Sequence, residues 1–406
     1  MQISLFNSDR ECFIWTRKEI ESIELWNTER DKFGNRIFQI NNHTIKLVTA
    51  NIADSYSKEG FNEEYLSEIN VLIIYGALPK YENEEESYSY KLLHSIKKHP
   101  DKKFVIITKH PEDYWLDNAL MQSNFLLTNI NHNYKNVRVI WDIDLPEYRP
   151  AFHFHPKMVF HHYHNNEAFS GGHVFENFRP VWKKLGKKNY RMGYHTNKVT
   201  VRLRKFLFDM FNSIDSPHLF FTNTSKFYHT PFDSTIPNGV TSNINGSKGL
   251  WYVKQFVDMT VESDMEVVYE TSTMGGPFNY LYKWTEKTIK LLMLGKPFIH
   301  TDPIAHILMS HFGMKPYESL YTKELWDYYN EFDISSIYHE LNGLDVDRWF
   351  TLLEENINWL LTLSDEEWER RIEEANRVAD INQAHYTELV YNRSLLPIIT
   401  SANFWE

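Results

Sequence analysis

Five short apolar runs in the first third of the chain, set apart by polar stretches, constrain the fold more than any other feature. They are QISLF (2–6), IKLVTANI (45–52), VLIIYGA (71–77), FVIIT (104–108) and VRVIWDI (137–143). They are brief, rich in β-branched residues and not alternating with polar ones, which suits parallel strands buried on both faces. Between them NEEYLSEI (62–69) and EESYSYKLLHSIKK (85–98) space their apolar residues as helices do. A strand–helix–strand repeat of this kind predicts a doubly wound α/β domain.

A second α/β unit is expected beyond an interruption at about residues 165–188, where NNEAFSGGHV and WKKLGKKN break the pattern. NYRMGYH (189–195) reads as a strand, VRLRKFLFDMF (201–211) as a helix, and MEVVYETS (265–272) as a strand. TEKTIKLLML (285–294) reads as a helix and GKPFIHT (295–301) as a strand. Gly295 stands where a helix C′ residue belongs, with Pro297 soon after. From Asp345 the chain reads as helical, and Ser364 with Glu367 makes a capping box that starts a new helix. With 406 residues, one compact core is too few. The expected organisation is a Rossmann-like domain over 1–180, a second over 186–365, and helices over 366–406 crossing back onto the first.

The stretch VVYETSTMGGPFNYLYKWTEKTIKLLMLGKPFIHTDP (267–303) carries the most chemistry. A buried strand leads to the carboxylate of Glu270, a Gly-Gly-Pro loop follows, and Thr285, Glu286 and Lys287 open a helix. Helix N-termini offer free N–H groups and a positive dipole end to phosphate. Lys287 adds a point charge for a diphosphate, and Glu286 can accept from a ribose diol. Taken by itself, such a charged first turn is equally what a solvated helix start looks like.

The run WTEKTIKLLMLGKPFI resembles the donor-site signature of α1,3-fucosyltransferases, in which the Glu and Lys of Thr-Glu-Lys contact the nucleotide's ribose and phosphates. The resemblance assigns those roles to Glu286 and Lys287, and the upstream acidic position to Glu270. The continuation HILMSHFGMKPYESLYTKELWDYYNEFD is similar to glycosyltransferase-like proteins of bacteriophages and large viruses. The likeness covers about residues 186–400. It departs from the fucosyltransferase pattern at Thr271, where Asn is usual, and in the loop with Gly275, Gly276 and Pro277. It implies two facing Rossmann-like domains of GT-B type and a nucleotide-sugar donor held without a metal, the cofactor requirement being none.

Residues 179–205 hold ten Lys and Arg and no acid. A charge run is commonly a solvated face, yet this one spans a strand and a helix start. By analogy with related transferases, Asn197, Arg202 and Arg204 fall where donor phosphates are met, and a guanidinium suits phosphate oxygens. Lys183, Lys184, Lys187 and Lys188 are candidates for lining an acceptor groove, which a nucleic acid would favour electrostatically.

The histidines of HFHPKMVFHHYHNNE (153–167), namely His153, His155, His161, His162 and His164, match no zinc spacing. They read as half-buried strand and loop residues. For a base to deprotonate the acceptor, Asp113 and Glu112 follow the strand FVIIT, with Asp142 and Asp144 as alternatives after VRVIW. The chain has no GxGxxG, Walker, GxSxG or HExxH motif, which weakens dehydrogenase, NTPase and hydrolase readings.

Composition sets outer limits. Apolar residues make up 42% and charged residues 24% of the chain, which is globular rather than disordered. The single cysteine, Cys12, excludes an intramolecular disulfide and reads as a buried bystander in a reducing, cytoplasmic compartment. There is no signal-peptide pattern and no apolar run near the roughly 20 residues of a membrane span. A net charge of −11 argues against a general nucleic-acid coat but allows a local basic groove.

These readings converge on a glycosyltransferase whose C-terminal domain binds the nucleotide sugar and whose N-terminal domain binds the acceptor. The favoured acceptor is duplex DNA with hydroxymethylated bases. The alternatives are a surface-glycan or small-molecule transferase, and a non-catalytic nucleic-acid-binding protein with a vestigial transferase fold.

Overall fold

The computed structural model describes residues 2–6, 29–30, 36–40, 43–48, 66–76, 88–108, 134–141, 152–154, 179, 183, 188–196, 202–223, 262–270, 284, 286–301, 303–332 and 345–406. The chain divides into two compact units. The first comprises Met1–His161 together with Glu388–Glu406, and the second His162–Thr387.

The first unit is built on strands β1 (Gln2–Phe6), β2 (Glu29–Arg30), β3 (Arg36–Ile40), β4 (His43–Val48), β5 (Val71–Gly76), β6 (Lys103–Thr108), β7 (Val137–Trp141) and β8 (Phe152–Phe154), with helix α1 (Tyr88–Lys98) between β5 and β6. The second unit holds β9 (Tyr190–Thr196), α2 (Arg202–Ser213), β10 (Leu219–Asn223), β11 (Ser263–Val268), α3 (Glu286–Leu294), β12 (Phe298–His300), α4 (Pro303–His311), α5 (Lys323–Asn330), α6 (Val346–Thr362) and α7 (Asp365–Thr387). A π-helical turn over Glu388–Asn392 and α8 (Leu396–Thr400) return the chain to the first unit.

The sheet of the first unit runs β2-β3-β4-β1-β5-β6-β7-β8. From β4 through β1 to β8 every neighbouring pair is parallel, and β2 and β3 add an antiparallel edge. Val71, Leu72, Ile73, Phe104, Val105, Ile106, Ile107, Val137, Val139 and Ile140 are all buried. Unbroken apolar runs are therefore buried on both faces, as parallel sheets require. Asn136 braces the turn into β7 by donating to the carbonyls of Ile96, His99 and Lys102. Arg138 of β7 is buried, and its Nε donates to the Phe404 carbonyl at 2.8 Å. That bond fastens the chain's last turn to this sheet.

The sheet of the second unit is all parallel, in the order β10-β9-β11-β12. Helices cover both of its faces. Tyr194 of β9 stacks on Phe211 of α2 at 4.2 Å between ring centroids. On the opposite face Arg191 pairs with Asp365 at 2.7 Å, and Trp368 Nε1 donates to Asp264 at 2.9 Å. This is the doubly wound mixed α/β architecture with parallel sheets that the sequence predicts. The two-residue β2, the polar β3, the short β8 and β10 lay outside that expectation.

Helix ends follow their local chemistry. Gly295 has φ +63°. The Lys296 N–H bonds the Leu291 carbonyl and the Gly295 N–H bonds that of Leu292, which is a Schellman closure of α3. Gly313, φ +76°, closes α4 in the same way. At α7 the Glu367 N–H donates to Ser364 Oγ at 3.2 Å. The Glu367 carboxylate turns instead to Arg370 and Arg371, so half of the expected capping box forms.

Candidate functional site at the carboxyl edge of the second sheet

The strand order fixes where this sheet can hold a ligand. From β9 the chain steps to β10 on one side, and β11 and β12 then extend the sheet on the other. β9 and β11 thus flank the topological switch point, and doubly wound sheets bind ligands in the crevice outside the carboxyl ends of such strands. His195 and Thr196 end β9, and β11 runs out towards Glu270. The helices that follow these two strands are α2, with Arg202 and Arg204 in its first turn, and α3, with Glu286 and Lys287 in its first turn.

Lys287 is part-exposed and Glu270 is fully buried. The Glu270 carboxylate accepts from the Thr288 hydroxyl and, at 3.3 Å, from the Thr288 backbone N–H. One of the helix N–H groups expected to face phosphate is therefore taken by a carboxylate of the chain itself. Thr288 Oγ1 also lies 2.9 Å from His300 Nε2. The hydroxyl has one proton, which Glu270 receives, so it accepts from His300 and selects the Nε2–H tautomer. Burial, then the nearby His306, hold His300 well below its usual pKa, which keeps this ring neutral. Trp284 stacks on it at 5.6 Å and anchors its own indole N–H on the Ala305 carbonyl.

A second polar group crosses the same sheet. Lys296 Nζ lies 2.7 Å from Glu266 Oε1 and 2.9 Å from Ser263 Oγ, which donates to Glu266 Oε1 at 2.7 Å. All three residues are buried. Glu266 Oε2 is 3.1 Å from His195 Nε2. Burial would push the Glu266 carboxyl up, but Lys296 and His195 overcome this and hold it at about 2. Glu266 pairs in register with Gly193, where a Cβ would stand 2.6 Å from Glu266 Oε2 and 2.8 Å from Ser263 Oγ. The glycine makes room for the carboxylate.

The remaining sequence candidates divide as follows. Lys183 is ion-paired with Asp380 at 2.9 Å, beside Arg179 on the same carboxylate. Lys188 is half-buried and held down to about 8, by burial first and then by Lys296, with Asp264 and Glu262 opposing. Glu112, Asp113, Asp142, Asp144, Asn197, Thr285, Lys184, Lys187, Cys12, His155, His161, His162 and His164 lie outside the described residues, as do the side chains of His153, Arg202, Arg204 and Glu286. Among the described residues no group of three or more His, Cys, Asp or Glu could hold a metal ion, and no helix is long and apolar enough to cross a membrane.

Sequence reasoning missed Thr288, His300, His195, Ser263, Glu266 and Lys296. Two signals were present: a Glu inside the apolar run MEVV, and a Lys between Gly295 and Pro297 at the threshold of a buried strand. A charge in such surroundings calls for a buried partner.

No protein-family model matches the chain, and no curated protein does. One solved structure is similar over 99% of this chain and 100% of its own length, at 12% identity and a TM-score of 0.37. It is an alpha-glucosyltransferase in complex with UDP and a 13-mer DNA containing a HMU base. A likeness of that size leaves the functional argument to the residues themselves.

Proposed function

We propose that the chain is a nucleotide-sugar-dependent glycosyltransferase of GT-B type whose donor binds at the carboxyl edge of the second sheet. The observation that carries this reading is the switch point between β9 and β11. The two helices that follow these strands begin with Arg202 and Arg204 and with Glu286 and Lys287, the residue types that a ribose and a diphosphate require.

In this reading Lys287 and the α2 arginines stabilise the negative charge of the departing diphosphate, and Glu286 accepts from the ribose hydroxyls. Glu270, being buried against Thr288, acts as a positioning residue that sets the start of α3. Asn197 and Thr285 complete the donor contacts. The acceptor hydroxyl attacks the anomeric carbon and gives its proton to Asp113 or Glu112. The bond from that carbon to the diphosphate oxygen breaks, its electron pair leaving with the diphosphate. The acceptor we favour is duplex DNA with hydroxymethylated bases, drawn by Lys184 and Lys187 of the basic segment together with Lys183 and Lys188. No metal is required.

A thermal-shift panel of nucleotide sugars, followed by transfer assays on hydroxymethylated duplex DNA and on glycan acceptors, tests this. Stabilisation by one nucleotide class and transfer to DNA are expected. Transfer only to a glycan would reject the acceptor, and no response to any nucleotide would reject the donor reading.

A further inference from the structure

The amino edge of the first sheet gathers lysines from three stretches of chain. Lys97 and Lys98 lie in the last turn of α1, Lys102 and Lys103 lead into β6, and Lys135 precedes β7. One side chain holds these stretches together. Asn136 Nδ2 reaches the carbonyls of Ile96, His99 and Lys102 at 3.2, 3.0 and 3.1 Å, so the helix end and both turns keep a fixed spacing. Beneath them the buried Arg138 donates to the Lys135 carbonyl at 3.1 Å and to the Trp405 carbonyl. Lys103 rests over the Trp405 ring, its Nζ 4.7 Å from the centroid.

A lysine run is by default a solvated face, and its pairing sets this one apart. The chain has 54 acidic against 43 basic residues, and exposed cations elsewhere draw on that surplus. Lys205, Lys323, Arg348, Arg370 and Arg377 each hold a carboxylate. At this edge Asp101 is taken by Lys102 at 3.7 Å, while Lys97, Lys103 and Lys135 have no ion-pair partner among the described residues. The remaining acids here are Glu68, next to the Ser67 carbonyl that Lys102 also meets, and Glu406 with the terminal carboxylate. Cations stay in excess.

We infer that this edge is a docking surface for the phosphate backbone of duplex DNA, contacted by Lys97, Lys103 and Lys135. Lysine ammonium groups meet phosphates as point charges and release condensed counterions, a gain that does not depend on base sequence. An anionic membrane is the other large polyanion, but holding one takes apolar side chains that insert. The one large exposed hydrophobic among the described residues, Ile381, belongs to α7 instead. The inference rests on the reading of the chain as a DNA-modifying transferase, and gives the first unit a DNA contact separate from the basic segment 179–205.

The test is fluorescence anisotropy of the full-length chain with a duplex about two helical turns long, across a range of salt concentrations. Lys97 and Lys135 are exposed, so Lys97→Glu with Lys135→Glu should fold. At about 0.9 per phosphate neutralised, this variant should lose close to two units of the slope of log affinity against log salt. Lys97→Gln with Lys135→Gln carries the same test if the reversals do not fold. Lys323→Glu with Arg377→Glu changes net charge equally at exposed positions elsewhere, and should leave the slope unchanged. A wild-type slope in the Lys97 and Lys135 variants overturns the inference and leaves the basic segment standing as the DNA contact. An equal loss in the Lys323 and Arg377 control also overturns it, since the effect would then be general charge. So does binding to phosphatidylserine vesicles that falls with the Lys97 and Lys135 reversals while DNA binding does not. A wild type that binds no DNA at physiological salt overturns both the inference and the DNA acceptor.

Discussion

The carboxylate of Glu270, beyond the end of β11, accepts both the hydroxyl and the backbone N–H of Thr288 in the first turn of α3. This contact joins the two elements that the strand order brings to the switch point. It also places a negative charge at the positive end of the α3 dipole. In the proposed donor site a phosphate would therefore meet a helix end already partly occupied, and would depend more on side-chain cations, Lys287 among them.

Thr288→Val keeps the shape of the side chain and removes the hydroxyl that links Glu270 with His300. With a buried charged acceptor deprived of its donor, unfolding free energy should fall by about 1.5–3 kcal/mol. Denaturant titration of wild type and variant measures this. A loss within about 0.5 kcal/mol would show that the contact does not anchor α3.

The Glu266 network makes a pH-dependent contribution of known sign. The folded carboxyl lies at about 2 against an ordinary 4.5, so its stabilisation is fully present above 4.5 and is lost as pH falls towards 2. The difference in stability between wild type and Glu266→Gln should shrink across that window. Gly193→Ala should destabilise by about 1–3 kcal/mol through overpacking, because the new Cβ meets Glu266 Oε2 and Ser263 Oγ. A neutral Gly193→Ala, or a wild-type advantage that persists undiminished at pH 3, would contradict the network.

Much of the fold was legible because parallel strands advertise themselves as unbroken apolar runs, as VLIIYG and KFVIIT do. The strand RIFQI mixes polar and apolar residues at an antiparallel edge, and FHF was absorbed into a histidine-rich segment. Neither resembles a buried strand. At the site, the start of α3 and the turn at Gly295 could be read because caps and Gly-x-Pro punctuation are local. The Glu266–Lys296 pair spans 30 residues of sequence, and the fit of Glu266 over Gly193 depends on strand register. Those relations exist only in the folded sheet.

Salt dependence decides the acceptor. Lys183 is engaged by Asp380, so the informative reversals are Lys184→Glu and Lys187→Glu together. If duplex DNA is bound through the basic segment, log affinity falls with log salt by about 0.9 per phosphate neutralised. The double variant should then lose close to two units of that slope. An unchanged slope, or no DNA binding at physiological salt, would exclude this segment as the DNA contact.

Transfer should continue in excess chelator, since cationic side chains are proposed to carry the diphosphate charge. Complete loss, restored by Mg²⁺ or Mn²⁺, would instead require a metal in the donor site.

The first turn of α3 is proposed to hold a nucleoside diphosphate, and calorimetric titration of Lys287→Ala is the decisive test. Lys287 is part-exposed in a helix first turn, so the variant should remain folded. It should bind the wild type's preferred nucleoside diphosphate about 1.5–3 kcal/mol more weakly, with nucleoside affinity unchanged. A diphosphate affinity equal to that of the wild type would contradict it.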